Sequence, residues 1–477
     1  MIRANEARHS AGRRNRAEGR HAFVSGFVGL VAAAILTSCG SETSQVESPD
    51  RRPLGRLEDL ATLPARDDLN LLFILVDTLR SDRMSAYGYE RETTPTLRYL
   101  ASTGIRFDAH WAQSSWTKTS MASLWTSLYP VRTDVLDHRD VVAPDAVLPA
   151  EILSEAGFVT AGIWRNGWVA PNFGFSQGFD VYLAPPRNQA PATLRQVPRA
   201  GRIDGTDIDL VYSATEFLRA NGDRRFFLYL HMMDVHQYIT TPDNALFGST
   251  YSDAYDNSIR WVDEQIGMIM TELHALGLAD RTLVVLASDH GEAFGEHGAE
   301  GHARDVHTEV VRTPLLLIPP FRMSPGIAVP ASSEHVDIWP TLLELMGQSA
   351  PDYADGQSLL PLLLERDRGE LEDVSVAHLD RAWGRSEKEA NPVVAIREGN
   401  FRLVHDSESP DRLFNLQVDP GEMNDVAGSF RGIVNTLRTH VDRYLQQTSP
   451  WEGGAPEIEL DEMHLRQLRA LGYSVEK

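Results

Sequence analysis

The sequence predicts an α/β protein: a mostly parallel sheet sandwiched between helices, followed by a smaller antiparallel C-terminal subdomain. Three observations predict it. Runs such as "LNLLFILVD" are apolar without alternation, as expected of strands covered on both faces. Helical patterns stand between those runs, and such alternation builds parallel crossovers. After about residue 370 the pattern changes to short strands separated by turns.

The N-terminus stands apart. "MIRANEARHSAGRRNRAEGRH" carries six Arg and two Glu and leads into "AFVSGFVGLVAAAILTSC". The apolar part is shorter than a membrane span needs. A basic stretch, a short apolar stretch and small residues make an export signal. Leu36-Thr37-Ser38-Cys39 is similar to a bacterial lipobox, in which the Cys is lipidated and becomes residue one. Cys39 is the only cysteine in the chain, which strengthens this reading over a short signal-anchor with an incidental Cys. Residues 1–38 are therefore expected as a lipoprotein signal peptide and residues 39–67, polar with scattered Pro, as a tether. The expected location is the bacterial cell envelope, with the chain exported and lipid-anchored on its periplasmic or outer-membrane face.

The body is expected as a catalytic domain over 68–370 and a C-terminal subdomain with tail over 371–477. Its strands are read at "LNLLFILVD", at "FVTAGIW" near 158, "RRFFLYLHMMD" near 224, "TLVVLASDH" near 282 and "TPLLLIP" near 313. The helices between them are "TPTLRYLASTG", "DAVLPAEILSEAG", "LVYSATEFLRANG", "YDNSIRWVDEQIGMIMTELHALG" and "VDIWPTLLELMG", with Gly at the C-cap position. "VVAIREGNFRLVHD" and "DRLFNLQVDPGEMND" read as the short antiparallel strands, and "IVNTLRTHVDRYLQQ" as a final helix.

Composition narrows the chemistry. A net charge of −22 argues against nucleic acid as a partner. An anionic substrate stays compatible, because a buried metal reverses the local field. A chain without cysteines beyond Cys39 has no internal disulfide, thiolate metal site or cysteine nucleophile.

In open α/β sheets ligands bind at the carboxyl ends of the strands. Two strands here end in acids, at Val76-Asp77-Thr78 and at Ser288-Asp289-His290-Gly291-Glu292. One such Asp alone reads as a helix N-cap. Two of them, one followed by His and Gly, point to a metal site, and Asp and His suit Zn²⁺ or Mn²⁺.

These blocks resemble the sulfatase family of the alkaline phosphatase superfamily over roughly residues 68–430. "NLLFILVDTLRSDRMSAYGYERETTPTLRYLASTGIRFDAHWAQSSWTKTSMASLWTSLYPVRT" is similar to the family's opening block. "LYLHMMDVHQY", "YDNSIRWVD", "LVVLASDHGEAFGEHGAEGHARDVHTEVVRTPLLLIP", "VDIWPTLLELMG" and the two C-terminal strand blocks follow in family order. The family's signature begins with Cys or Ser, followed by x-Pro-Ser-Arg, and the leading residue becomes formylglycine. In this register the leading position is Thr117, followed by Lys118, Thr119, Ser120 and Met121. Thr does not give that aldehyde, so no formylglycine is expected. Thr117 is either a helix cap or an unmodified nucleophile, and the family register favours the nucleophile, as in nucleotide phosphodiesterases and phosphoethanolamine transferases. A metal beside the hydroxyl would lower its pKa.

The resemblance implies a metal set of Asp77, Thr117, Asp289 and His290, with Mn²⁺ or Zn²⁺ favoured and Ca²⁺ the alternative. It implies that His236 faces the substrate and protonates a leaving group, and that His302 stands where sulfatases place an anion-binding Lys. His231 and Asp234, with His236 and His302, are candidates for a second metal. Lys118 is one of three Lys, with Lys388 and Lys477, among 45 basic residues. It is either an anion contact replacing the signature Arg or a solvated first-turn residue. Glu292, Glu296 and His297 are read as shaping the loop, and Arg80 and Asp82 as a structural pair. The implied function is hydrolysis of sulfuric or phosphoric esters carried by a small molecule, glycan or lipid. The alternatives are a phospho-group transferase of the phosphoethanolamine-transferase type and a non-catalytic binding lipoprotein of the same fold.

Overall fold

A computed structural model describes residues 50–186, 206–364, 374–385 and 389–460, with Glu462, Leu465 and Leu468 beyond them. The strands are β1 (Asn70–Val76), β2 (Ile105–Trp111), β3 (Val159–Trp164), β4 (Val181–Leu183), β5 (Phe226–Met232) and β6 (Thr282–Ala287). A two-residue hairpin follows, β7 (Ala293–Phe294) and β8 (Glu300–Gly301), then β9 (Arg312–Ile318) and β10 (Ile327–Glu334). Eight strands form the large sheet in the order β10-β2-β9-β6-β1-β5-β3-β4. All pairings are parallel except those of β9, which runs antiparallel to both β2 and β6.

The apolar run of β1 shows why the sheet is covered on both faces. Alternate residues Leu71, Phe73 and Leu75 join one core cluster, and Leu72, Ile74 and Val76 join the other. The first face packs Trp125 and Trp339, from helices Thr117–Thr126 and His335–Leu345. The second packs Leu97, Leu218 and Ile259, from helices Pro95–Thr103, Asp207–Asn221 and Tyr251–Ala275. A strand with no polar face has no edge it can turn to water, so it lies between two helical layers.

The second sheet is β11 (Val374–Asp380), β12 (Pro392–Glu398), β13 (Phe401–Asp406) and β14 (Ser409–Asn415), antiparallel throughout. Helix Arg431–Leu445 packs Leu437 and Val441 onto it. The sheet is fastened to the body where His378 N donates to the Gln113 carbonyl and Val376 N to Glu334 Oε1. The described residues form one compact unit.

One expectation is corrected. The tether was expected to reach residue 67, but residues 50–66 belong to the folded body. Asp50 and Arg52 are buried and paired at 2.6 Å, and Arg52 Nη1 donates to the Pro319 carbonyl. Leu60 and Leu63 enter the core from a 3₁₀ helix, Leu57–Ala65. The polar composition suggested solvation, yet these charges satisfy one another and leave the two leucines one buried face. The expected signal peptide, Cys39 and the remainder of the tether lie outside the described residues. Among the described residues no helix is long and apolar enough to cross a membrane.

Candidate active site

The site forms at the carboxyl ends of β1, β5 and β6. Asp77 follows β1, and Asp289 and His290 follow β6. Thr78 takes a left-handed conformation, φ 60°, and its N–H donates to Asp289 Oδ1 at 3.1 Å, so the two strand ends are locked together. Gly291 permits the approach of the next segment: a Cβ there would meet the Glu309 carbonyl oxygen at 2.1 Å.

Asp77, Asp289 and His290 are fully buried and offer ligand atoms within 4.8 Å of one another. Asp77 Oδ1 and Asp289 Oδ2 have no hydrogen-bond donor among the described residues. Burial raises the Asp289 carboxyl above its usual range, and the Asp77 charge adds to this. Burial also opposes ionisation of Asp77, but His236, His231 and His290 outweigh it and hold that carboxyl below its usual range. Two adjoining buried carboxylates with undonated oxygens fit a divalent cation, which supplies the missing positive charge.

His290 Nδ1 lies 2.9 Å from the Gly291 carbonyl, which can only accept, so the proton sits on Nδ1. The Nε2 lone pair is thereby aimed at Thr117 Oγ1, 3.0 Å away. Thr117 opens helix Thr117–Thr126, whose N-cap is Trp116. Its hydroxyl is engaged by His290 and Asn166, so the capping alternative is not realised. The N–H groups of that first turn lack partners within the helix, which makes it an anion-favouring end. Ser120 is occupied elsewhere: its Oγ donates to the Asp289 carbonyl at 2.6 Å and adjoins His335 Nδ1.

Two further imidazoles complete the cluster. The His302 ring centroid lies 4.6 Å from that of His290 and 5.0 Å from that of His236. His302 Nδ1 pairs with Glu292 Oε2 at 2.9 Å. Burial opposes its protonation, but Glu292, Asp77 and Asp289 outweigh it and raise its pKa. Burial pushes His236 down to about 4. The two rings therefore sit side by side with opposite protonation tendencies.

Other candidates fall differently. His231 reaches the site, its Nε2 3.1 Å from Asp77 Oδ2 and its Nδ1 2.7 Å from the Tyr229 hydroxyl. Asp234 does not, so the structure does not assemble the second-metal set. Arg165, the Asp207 N–H, Trp261 and Gln265 surround its carboxylate, with Arg165 Nη1 at 2.6 Å. The strand-end spacing was right, but the buried Arg165 captures the acid. Lys118 is neither solvated nor an anion contact. It is fully buried, donates to the carbonyls of His138 (2.9 Å) and Asp137 (3.3 Å), and sits 3.9 Å over the Phe173 ring. Burial pushes it down to about 7. Arg80 and Asp82 pair at 2.7 Å, and Arg80 also holds Glu296.

The sequence reading missed Asn166. Its Nδ2 donates to Asp77 Oδ2 at 2.6 Å and lies 3.3 Å from Thr117 Oγ1, linking acid and hydroxyl. The available signal was its place just beyond β3, at a third strand's carboxyl end. Trp116 was missed as well. It stacks on Trp383 at 4.4 Å and meets Trp168 edge-on at 5.1 Å, fixing the helix start from two sides.

The sulfatase family's sequence model matches residues 69–348. The chain belongs to the sulfatase family. A second model, for the C-terminal part of N-sulphoglucosamine sulphohydrolase, matches residues 295–447 of this sulfatase-family chain. Human arylsulfatase A is 28% identical to it over 435 residues, covering 76% of this chain and 84% of that protein. The choline-sulfatase of Rhizobium meliloti is 26% identical over 446 residues, covering 77% and 84%. Among solved structures, the phosphonate monoester hydrolase of Agrobacterium radiobacter superposes with a TM-score of 0.64 at 20% identity, covering 82% of this chain and 100% of that one. A putative sulfatase from Bacteroides thetaiotaomicron gives 0.66 at 19% identity, covering 80% and 92%. The fold is the sulfatase fold, and the protein is a sulfatase-family ester hydrolase of a family that uses a divalent metal.

Proposed function

We propose that this hydrolase cleaves phosphorus esters, diesters or phosphonate monoesters, with unmodified Thr117 as its nucleophile. The observation that carries this reading is Thr117 Oγ1, fully buried, 3.0 Å from His290 Nε2, the nitrogen that would face the cation, and beside Asp77 and Asp289. Asp77, Asp289 and His290 would hold a divalent cation, Zn²⁺ or Mn²⁺ suiting these donors and Ca²⁺ the alternative, which would supply positive charge for the ester oxygens and favour the ionised hydroxyl. Asn166 Nδ2 holds Thr117 Oγ1 in line. Thr117 Oγ1, its proton released to solvent, forms a bond to phosphorus as the leaving oxygen departs, and His302, kept protonated by Glu292, donates a proton to that oxygen. In the second step water attacks the Thr117 ester, and neutral His236 takes its proton. Thr117 Oγ1 leaves and takes back a proton from solvent, while His236 gives up the proton it gained and His302 regains one.

Phosphorus is favoured over sulfur by the second step. A formylglycine hydrate has a second hydroxyl that expels the bound group by elimination, whereas Thr117 has none. Its ester must be broken by attack at the central atom, which phosphorus accepts more readily than sulfur. Steady-state turnover of para-nitrophenyl phosphate, a phosphodiester, a phosphonate ester and a sulfate, with Mn²⁺, Zn²⁺ or Ca²⁺, tests the reading. Phosphorus-ester turnover abolished in Thr117→Ala supports it. Turnover of the sulfate alone, or an equally active Thr117→Ala, overturns it.

We further propose that Cys39 is acylated and holds the enzyme on the cell envelope, on the strength of the lipobox-like residues before it. Metabolic labelling with an alkyne fatty acid, present in the parent and lost in Cys39→Ala, is the expected result. Equal labelling of both sinks the anchor.

A further inference from the structure

A second group of metal-type donors lies outside the candidate active site, where the β7–β8 turn and the segment after β8 meet the loop after β14. One ring nitrogen each of His297 and His307 and one carboxylate oxygen of Glu422 lie within 4.8 Å of one another. The two imidazoles are stacked, centroids 3.7 Å apart and planes 3° apart. Both present a nitrogen to Glu422: His307 Nδ1 is 2.7 Å from its Oε2, and His297 Nε2 is 3.1 Å from its carbonyl oxygen.

Two of the three donors, His297 and Glu422, have orienting partners behind them. His297 Nδ1 pairs with Glu309 Oε1 at 2.7 Å, which leaves Nε2 facing Glu422. A carboxylate behind a histidine is the arrangement that fixes tautomer and basicity in metal-ligating imidazoles. Arg402 Nη1 holds Glu422 Oε1, and Thr308 N donates to Oε2 at 3.0 Å. His307 and Glu422 are each 1% exposed, and His297 is partly open to solvent. Glu422 is held at φ 56°, a left-handed conformation unusual for a residue with a side chain, and its carboxylate is buried there. The set thus has two imidazoles, one carboxylate, supporting partners behind two of them, and an open side.

We propose that His297, His307 and Glu422 form a second divalent-metal site of zinc type, distinct from the Asp77–Asp289–His290 cluster. Two imidazoles and one carboxylate leave a fourth position for water. The ion ties the segment carrying Glu292 and His302 to the C-terminal sheet's outgoing loop. Binding displaces the proton that His297 Nε2 shares with the Glu422 carbonyl and the proton between His307 and Glu422, so it releases protons to solvent.

The test uses the full chain with Asp77→Asn and Asp289→Asn together, which disables the other cluster. Zinc content after dialysis, and affinity by chelator competition, are measured in that background. The expected result is one zinc per chain, lost on adding His307→Ala. Adding Glu309→Gln should retain the zinc with affinity lowered about 10–100-fold. X-ray absorption of the zinc-loaded parent background guards against misfolding of the His307 variant and should show two imidazoles in the coordination shell. No tight zinc in that background, zinc indifferent to His307→Ala, or a shell with fewer than two imidazoles overturns the proposal.

Discussion

In the mechanism proposed for Thr117, His302 and His236 differ by environment rather than by residue type. His302 is raised because Glu292 is 2.9 Å from its Nδ1, and His236 is lowered to about 4 because burial dominates. The expected kcat/KM profile is therefore a bell. Its acid limb falls as pH drops through about 4, when His236 takes a proton. Its alkaline limb lies above the ordinary His value of about 6.5, where His302 loses its proton. In His302→Gln the alkaline limb should vanish and the plateau drop. An unchanged alkaline limb in that variant would remove His302 from the role of acid. Much of this residue set was legible in the sequence: Asp77, Asp289 and His290 stand at strand ends, and Thr117 follows from the register of the signature. Asn166 was not, because one polar residue beyond a strand carries no pattern. The occupation of Asp234 by Arg165, 69 residues away in sequence, has no local signal either.

At the scale of elements, the apolar strands β1, β3, β5, β6 and β9 are read directly from composition, since burial on both faces leaves no polar position. β2 and β10 escape that reading because half their residues are polar or half-exposed. The reversed direction of β9 escapes it too, since strand sense depends on connections rather than composition. Helix Thr117–Thr126 departs furthest from pattern: all ten residues are buried, Lys118 included. Lys118 has an ordinary value of 10.5 and is pushed to about 7 by burial. Between those values the unfolded chain holds a proton that the folded chain does not, so folding stability rises with pH across that window. The slope amounts to at most about 1.4 kcal/mol per pH unit. Denaturant melts of parent and Lys118→Met should therefore diverge from pH 7 upward, the parent gaining, because the variant lacks this group. Parallel curves would mean that Lys118 stays charged in the fold.

Across the whole molecule, the C-terminal sheet supports the site it does not contain. Trp383, just after β11, stacks on Trp116 beside Thr117 and donates to the Ala303 carbonyl next to His302. Removing that ring should loosen both the nucleophile and the acid. Trp383→Ala is expected to lower stability by about 3 kcal/mol, the lower end of the range for large aromatic truncations, and to lower kcat more than it raises KM. A loss confined to stability, with kcat unchanged in the folded fraction, would separate the sheet from catalysis. The division into two sheets was visible in the change of pattern near residue 370. The dependence of one on the other was not, because stacking across the boundary involves single aromatic residues far apart in the chain.

In the proposed mechanism Thr117 becomes covalently modified during turnover. The direct measurement is peptide mass spectrometry of the full chain, quenched in acid while hydrolysing a phosphate or phosphonate ester, because a phosphorylated threonine survives acid. The expected result is a phosphoryl or phosphonyl group on Thr117, absent from Thr117→Ala. An actively turning-over enzyme whose Thr117 is never modified, with the product's new oxygen delivered from water in a single inverting step, would contradict it.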